Sequence, residues 1–315
     1  MEMRKLGGSG LATPRLVLGG NVFGWTAKGE EAFAILDRFA EAGGVMIDTA
    51  DVYSAWVPGH QGGESESFLG QWLKRRGGRN GIAIATKVGM LPMPGVPELK
   101  PARIAAAAEA SLERLGVDTI DLYYAHQDDA KTPLAETLAG FDALVRAGKV
   151  RAIGASNYSA ERLAAALDLS EREGFARYDV LQPEYNLMTR GKYEGALQDL
   201  CVARNVAVLP YFGLASGFLT GKYRSEADFG KSVRGSRMEA YLDDRGRRVL
   251  EALDAVSAET GATPAQVALA WLAAQPGIAA PIASATSVEQ LEELLGVLTL
   301  ELNGDQLERL SQAGA

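Results

Sequence analysis

Four side chains in this sequence could together move a proton onto an oxygen atom: Asp48, Tyr53, Lys87 and His126. Asp48 ends the apolar run Val45-Met-Ile-Asp48, and Tyr53 follows it in Thr49-Ala-Asp-Val-Tyr53. Lys87 closes Ile82-Ala-Ile-Ala-Thr-Lys87, and His126 closes Asp121-Leu-Tyr-Tyr-Ala-His126. A phenol titrates near pH ~10 in water, too high for a good acid at neutrality. An ammonium beside it favours the phenolate and lowers that value, and a carboxylate can hold the ammonium and balance its charge. On this reading Tyr53 protonates a carbonyl oxygen, Lys87 and Asp48 tune it, and His126 hydrogen-bonds and orients the same oxygen. Hydride delivery to the carbonyl carbon is beyond amino-acid side chains, so a nicotinamide cofactor is implied.

Taken singly, each residue has an ordinary reading. Lys87 could mark where a strand emerges into solvent, and Asp48 could cap the segment after it. Tyr53 could be a rim aromatic and His126 a satisfied structural histidine. Their conjunction at the ends of three neighbouring strands favours a site. A Schiff-base lysine on another barrel enzyme is the chemical rival. It needs a desolvated Lys87 of lowered pKa, and a neighbouring Asp48 acts against that.

Such side chains need strands that end side by side. Strand patterns fall at Arg15–Gly19, Val45–Asp48, Ile82–Thr86, Thr119–Ala125, Val150–Ser156, Val180–Gln182, Val206–Pro210 and Ala279–Ile282. Amphipathic stretches alternate with them, at Glu30–Ala42, Glu64–Arg75, Pro101–Leu115, Leu134–Ala147, Ala160–Arg172, Tyr193–Arg204 and Ser287–Leu295. Strands separated by helices pair in parallel through right-handed crossovers, and apolar runs such as Val206-Ala-Val-Leu209 suit a sheet buried on both faces. Eight of them without a Gly/Pro-rich linker predict one α/β domain over residues 1–315, a single (β/α)8 barrel of the TIM type. In such barrels chemistry sits at the C-terminal rim of the strands. Met1–Pro14 reads as an added β-hairpin turning at Gly7-Gly-Ser-Gly10, and Phe212–Tyr241 as a long functional loop after the seventh strand.

Composition narrows the function classes. Thirty-two Lys+Arg against 40 Asp+Glu give a net charge of −8, which disfavours a nucleic-acid partner. No glycine-rich turn of the Rossmann type opens a helix, and there is no Walker A loop, HExxH or CxxC. With two histidines in all, no metal site is expected. The single cysteine, Cys201, reads as a buried structural thiol. No signal-peptide core and no membrane span are evident, so the chain reads as soluble and cytoplasmic.

The residues also carry a family likeness. The sequence resembles the aldo-keto reductase superfamily over essentially its whole length, from Leu16-Val-Leu-Gly-Gly20 to the C-terminal helix. That family's Asp, Tyr, Lys and His tetrad matches Asp48, Tyr53, Lys87 and His126. Gly63-Glu-Ser-Glu-Ser-Phe-Leu-Gly70 and Gly154-Ala-Ser-Asn-Tyr158 look like further signatures. Leu214-Ala-Ser-Gly-Phe-Leu-Thr-Gly-Lys-Tyr223 is typical of bacterial members similar to the potassium-channel β-subunit branch. The resemblance implies an NADP(H) or NAD(H) cofactor lying across the barrel mouth and a small carbonyl substrate. It places Ser156, Asn157 and Gln182 on the carboxamide and Tyr211 against the nicotinamide ring. Phe212, Leu214, Ser216 and Gly217 would cover the pyrophosphate, Gly24 with Asn21 to Phe23 would line the pocket, and Ser284, Thr286, Gln290 and Glu293 would meet the far end of the dinucleotide. Ser156-Asn157 could equally cap the next helix, and Tyr211 could be rim packing. Trp25, Trp56 and Tyr124 are candidate substrate aromatics, while His60 reads as a loop histidine. The channel branch also implies an alternative function, a non-catalytic nicotinamide-sensing subunit.

Three segments depart from the family pattern. Pro281–Gln290 carries no Lys or Arg to grip the 2′-phosphate of NADP, a contact worth about 1.5–3 kcal/mol, so NAD use is plausible. Gln127-Asp128-Asp129 after His126 alters one wall of the substrate pocket. Phe212-Gly213 replaces a Ser-Pro pair beside Tyr211.

Overall fold

The computed structural model describes residues 2–91, 98–231 and 235–315. A two-stranded antiparallel hairpin, β1 (Arg4–Lys5) and β2 (Ala12–Thr13), precedes eight parallel strands. These are β3 (Val17–Gly19), β4 (Met46–Asp48), β5 (Ala83–Val88), β6 (Ile120–Ala125), β7 (Val150–Ser156), β8 (Tyr178–Gln182), β9 (Ala207–Val208) and β10 (Ile282–Ala283). They pair in chain order, with β10 beside β3. The ring closes where the Ala279 N–H donates to the Val208 carbonyl at 2.9 Å and the Ile282 N–H to that of Pro210 at 2.9 Å. The result is the (β/α)8 barrel that the strand pattern predicts.

Helices α1 (Gly29–Glu41), α2 (Glu64–Arg75), α3 (Pro101–Leu115), α4 (Leu134–Arg146), α5 (Ala160–Glu173) and α6 (Ala196–Ala203) surround the first part of the ring. They are followed by α7 (Asp244–Thr260), α8 (Pro264–Ala273), α9 (Val288–Leu295) and α10 (Gly304–Ala313). α6 starts three residues later than its periodicity suggests, because Gly195 takes φ +88° in front of it. β9 is two residues long, against an expected Val206–Pro210, and β10 begins only at Ile282. Pro210 and Pro281 lack the N–H that a ladder needs, and each lies where its strand is cut short. Between Phe212 and Tyr241 the chain forms short 3-10 segments at Ala215–Thr220, Glu226–Lys231 and Gly235–Tyr241; residues 232–234 of that stretch lie outside the described residues.

Inward side chains of the strands fill the barrel: Val17, Met46, Ala85, Leu122, Tyr124, Ala152, Val180 and Ala207. The hairpin adds Leu6 and Leu11 from the floor, each worth roughly 1.5–3 kcal/mol by burial. It is pinned at the N-terminal end of β8, where the Gly8 N–H donates to Asp179 Oδ1 at 3.2 Å. Gly7 takes φ +56°, and a Cβ there would lie 2.6 Å from the Asp179 carbonyl oxygen, so only glycine fits. With the floor sealed, the opposite end, where the strands finish, is free to carry polar groups. Cys201 is buried, and burial pushes its thiol up to about 12, as befits a structural position. Among the described residues no helix is long and apolar enough to cross a membrane.

Candidate functional site

Asp48 ends β4, Lys87 is the penultimate residue of β5, His126 immediately follows β6, and Tyr53 lies on the turn after β4. The barrel therefore brings the four sequence-predicted residues to one mouth. Lys87 Nζ donates to Asp48 Oδ2 at 2.6 Å, to the Thr49 carbonyl at 2.7 Å and to the Tyr53 hydroxyl oxygen at 3.0 Å. An ammonium has three N–H groups, so all three are engaged. The phenol oxygen accepts from Lys87, which leaves the phenol's own proton for another acceptor; among the described residues Asp48 Oδ2 takes it only at a marginal 3.5 Å. Asp48 Oδ1 accepts from Gln182 Nε2 at 2.8 Å, reaching over from β8.

These groups are dry: Asp48 is 2% exposed and Lys87 0%. Burial, followed by the Asp48 carboxylate, pushes the Tyr53 phenol well above its ordinary value. That direction is opposite to the lowering expected from Lys87, and it keeps the phenol protonated. Lys87 is pulled down by burial, with Asp48, Asp51 and Glu66 opposing. His126 is held well below its usual range by burial and by the Lys87 charge, so its ring is neutral. Its Nδ1 is buried without a hydrogen-bond partner among the described residues. An N–H there would be orphaned at a cost of about 1–3 kcal/mol, so the proton belongs on Nε2. The Tyr53 and His126 rings meet edge to face at 6.0 Å.

The start of α2 sets the strand ends in place. Ser65 Oγ donates to the Gly20 carbonyl and pairs with Thr49 Oγ1 at 2.8 Å. The buried Glu66 accepts from Thr86 Oγ1 at 2.6 Å and from Arg114 Nε at 2.7 Å. Glu64 receives the Gln61 and Gly62 N–H groups. At Gly70 a Cβ would stand 2.1 Å from the Arg114 carbonyl oxygen, which explains the glycine and the close approach of α2 to α3. The Gly63–Gly70 motif is thus the mount for β4 and β5.

The remaining sequence-predicted residues form an arc around the mouth. Ser156 Oγ donates to the Gln182 carbonyl at 2.8 Å, Asn157 Nδ2 to the His126 carbonyl at 3.0 Å, and Tyr211 OH to Asn157 Oδ1 at 2.8 Å. Four strand ends are thereby stitched together. The stretch after Tyr211 holds left-handed backbone at Phe212 (φ +56°), Ala215 (+47°), Ser216 (+58°) and Gly217 (+105°). Non-glycine residues in that region cost of order 1–3 kcal/mol each and cluster at ligand clamps. The buried Asn186, which the sequence reading did not single out, donates to the Phe212 carbonyl at 2.9 Å and braces this loop. Ser284 Oγ donates to Asn21 Oδ1 at 2.6 Å, and Gln290 Oε1 receives the Thr286 N–H and hydroxyl. The Glu293 carbonyl is taken by Gln266, and Leu214 is half-buried. Gly24 takes φ +76° against Glu64.

Trp56 is 49% exposed, 6.1 Å from the Tyr53 ring and 5.5 Å edge-on from Trp25. Tyr124 is corrected as a substrate aromatic. It is fully buried in the barrel interior among Ala152 and Val180, one layer below His126. The departures after His126 brace neighbouring loops: Gln127 donates to the Gly89 carbonyl, Asp128 pairs with Arg162 at 2.8 Å, and Asp129 holds the Leu99 N–H and the Thr132 hydroxyl.

The aldo/keto reductase family matches the chain over residues 15–315. An oxidoreductase of Bacillus subtilis, YrpG, is 34% identical over 325 residues, covering 99% of this chain and 95% of its own. An aldo-keto reductase of Schizosaccharomyces pombe, yakc [NADP(+)], is 32% identical over 89% of this chain and 81% of its own. A probable voltage-gated potassium channel subunit beta of Arabidopsis thaliana is 32% identical over 93% and 90%.

Proposed function

The chain belongs to the aldo/keto reductase family, and we propose that it reduces an aldehyde or ketone to the alcohol with a nicotinamide cofactor. The observation that carries this reading is the Lys87–Tyr53 contact at 3.0 Å, between a buried ammonium and a half-buried phenol, which leaves the phenol proton for a substrate at the mouth. The bound nicotinamide supplies the hydride. Tyr53 gives its proton to the carbonyl oxygen. As negative charge develops on the phenol oxygen, the Lys87 N–H already aimed at it stabilises that charge with no reorganisation. Asp48, anchored by Gln182, keeps Lys87 charged and aimed. Neutral His126 donates from Nε2 to the same substrate oxygen.

The donor set around the mouth suits the cofactor. Ser156, Asn157 and Gln182 offer hydroxyl and amide groups for a carboxamide, and Tyr211 offers a ring face. The left-handed residues Phe212, Ala215, Ser216 and Gly217 give the loop the strained backbone found at ligand clamps, which suits a cover over the pyrophosphate. Ser284, Thr286, Gln290 and Glu293 are neutral or acidic where a 2′-phosphate would be met, so both NADP(H) and NAD(H) are accommodated through hydrogen bonds. Trp25 and Trp56 suit a flat or ring-shaped carbonyl compound, an aromatic aldehyde or a sugar. We place the activity in the cytoplasm, in keeping with a fold that uses no disulfide.

Absorbance of reduced nicotinamide, followed with a reactive aromatic aldehyde, tests the reading: turnover is expected. The likeness to a named channel β-subunit favours a second reading, a nicotinamide-sensing subunit. Tight cofactor binding without turnover of any reactive aldehyde would select it.

A further inference from the structure

Directly behind the mouth, between β5, β6 and the helices α2 and α3, lies a second set of buried charges that the chemistry above does not use. Asp51 is 1% exposed and Arg103, in the first turn of α3, is 5% exposed. Arg103 Nη2 reaches Asp51 Oδ2 at 3.4 Å and donates to the Leu91 carbonyl at 2.9 Å. One guanidinium thus touches two loops: the turn after β4 that carries Tyr53, and the segment after β5. The Asp51 N–H donates to the Lys87 carbonyl at 3.3 Å, which ties the same turn to the strand of the catalytic lysine. Gly62 packs on this node with φ +98°, and a Cβ there would stand 2.7 Å from the Asp51 carbonyl oxygen.

Resting on the reductase reading, we propose that Asp51 and Arg103 are positioning residues, a clamp that fixes Tyr53 against Lys87. Tyr53 follows Asp51 by two residues, and its N–H turns back to the Ala50 carbonyl at 3.2 Å. Along this turn the side chain of Ser54 holds the Phe23 carbonyl at 3.3 Å. Asp51 is the one carboxylate of the turn, and Arg103 reaches it from α3, across 52 residues of chain. Without the clamp the turn is free to shift by a fraction of an ångström, which is enough to lengthen a 3.0 Å contact beyond use. When ionised, Asp51 also acts through space on Lys87, favouring the ammonium. Truncating one partner leaves the other buried and unpaired, so the pair functions as a unit.

The test is steady-state reduction of a reactive aromatic aldehyde by the wild-type chain, Asp51→Asn, Arg103→Gln and the double variant. Cofactor binding is measured in parallel by fluorescence. The clamp predicts a ten- to hundredfold fall in kcat in each single variant, with cofactor Kd and aldehyde KM within about threefold of wild type. The double variant should lose no more than the worse single one. Where Asp51→Asn is too unstable to assay, Arg103→Gln carries the same comparison. Wild-type kcat in a folded variant, or losses that multiply in the double variant, would overturn the clamp and leave the reductase reading intact. No turnover in the wild-type chain would overturn both.

Discussion

Gln182 Nε2 donates to Asp48 Oδ1 at 2.8 Å, linking β8 to β4 across the barrel mouth. The contact joins the arc that suits a nicotinamide carboxamide to the pair that orients Tyr53. On the proposed reading Gln182 would have two tasks, and its loss should weaken both. For Gln182→Ala we expect kcat to fall about tenfold and cofactor Kd to rise, read by steady-state kinetics and by cofactor fluorescence. A rise in Kd with unchanged kcat would confine Gln182 to the cofactor.

The Asp48–Lys87 pair is buried at 2.6 Å, and removing one partner strands a charge. Asp48→Asn and Lys87→Met should each destabilise the fold by about 3–5 kcal/mol, whereas the double variant should recover much of that loss. Denaturant unfolding of the three variants measures it. Additive losses would mean that the two residues are not coupled. All three variants should be devoid of reductase activity.

How much of this was legible beforehand varies with the range of the interaction. Asp48, Lys87 and His126 stand out because strand ends are local features and parallel strands bring them together by rule. Tyr124 misleads for a related reason. It shares a face with His126 but lies two residues earlier, which in a barrel is one layer deeper. The Asp51–Arg103 and Gln182–Asp48 contacts join residues far apart in the chain, and no local pattern reveals them. Helix α8 escapes the periodic search because its residues 267–273 are all buried, so it has no polar face to give a stripe. Glu66 was visible inside Gly63–Gly70 as a family signature, but its task of holding Thr86 and Arg114 needed the structure.

Asp51 should leave a mark on the pH dependence of stability. Burial, followed by the nearby Glu66 charge, raises its carboxyl from 3.8 to about 7, against the lowering effect of Arg103 and Arg114. Lys87 and the buried phenol of Tyr123 share that field. Between those two pH values the folded chain keeps a proton that the unfolded chain has released. On this group's account stability is full below pH 3.8 and is lost as pH rises to about 7, by at most about 1.4 kcal/mol per pH unit. Asp51→Asn should flatten that slope in urea unfolding between pH 4.5 and 7.5. An identical slope in both proteins would show that Asp51 ionises normally.

The stretch from Ser284 to Gln290, which carries no Lys or Arg, should be open to redesign. Placing a guanidinium there with Ser284→Arg adds a charge-assisted contact to a 2′-phosphate, worth about 1.5–3 kcal/mol. The NADPH/NADH ratio of kcat/KM should rise at least tenfold. An unchanged ratio would mean that the 2′-phosphate is not met by this part of the mouth.

The central claim is that Tyr53 is the proton donor of a nicotinamide-dependent carbonyl reduction. It is tested most directly by following NADPH and NADH absorbance with a reactive aromatic aldehyde, for the wild-type chain and Tyr53→Phe side by side. The account predicts turnover with at least one cofactor in the wild type. It predicts a loss of at least a hundredfold in Tyr53→Phe, with cofactor affinity nearly intact. Turnover that survives the loss of the hydroxyl would contradict it.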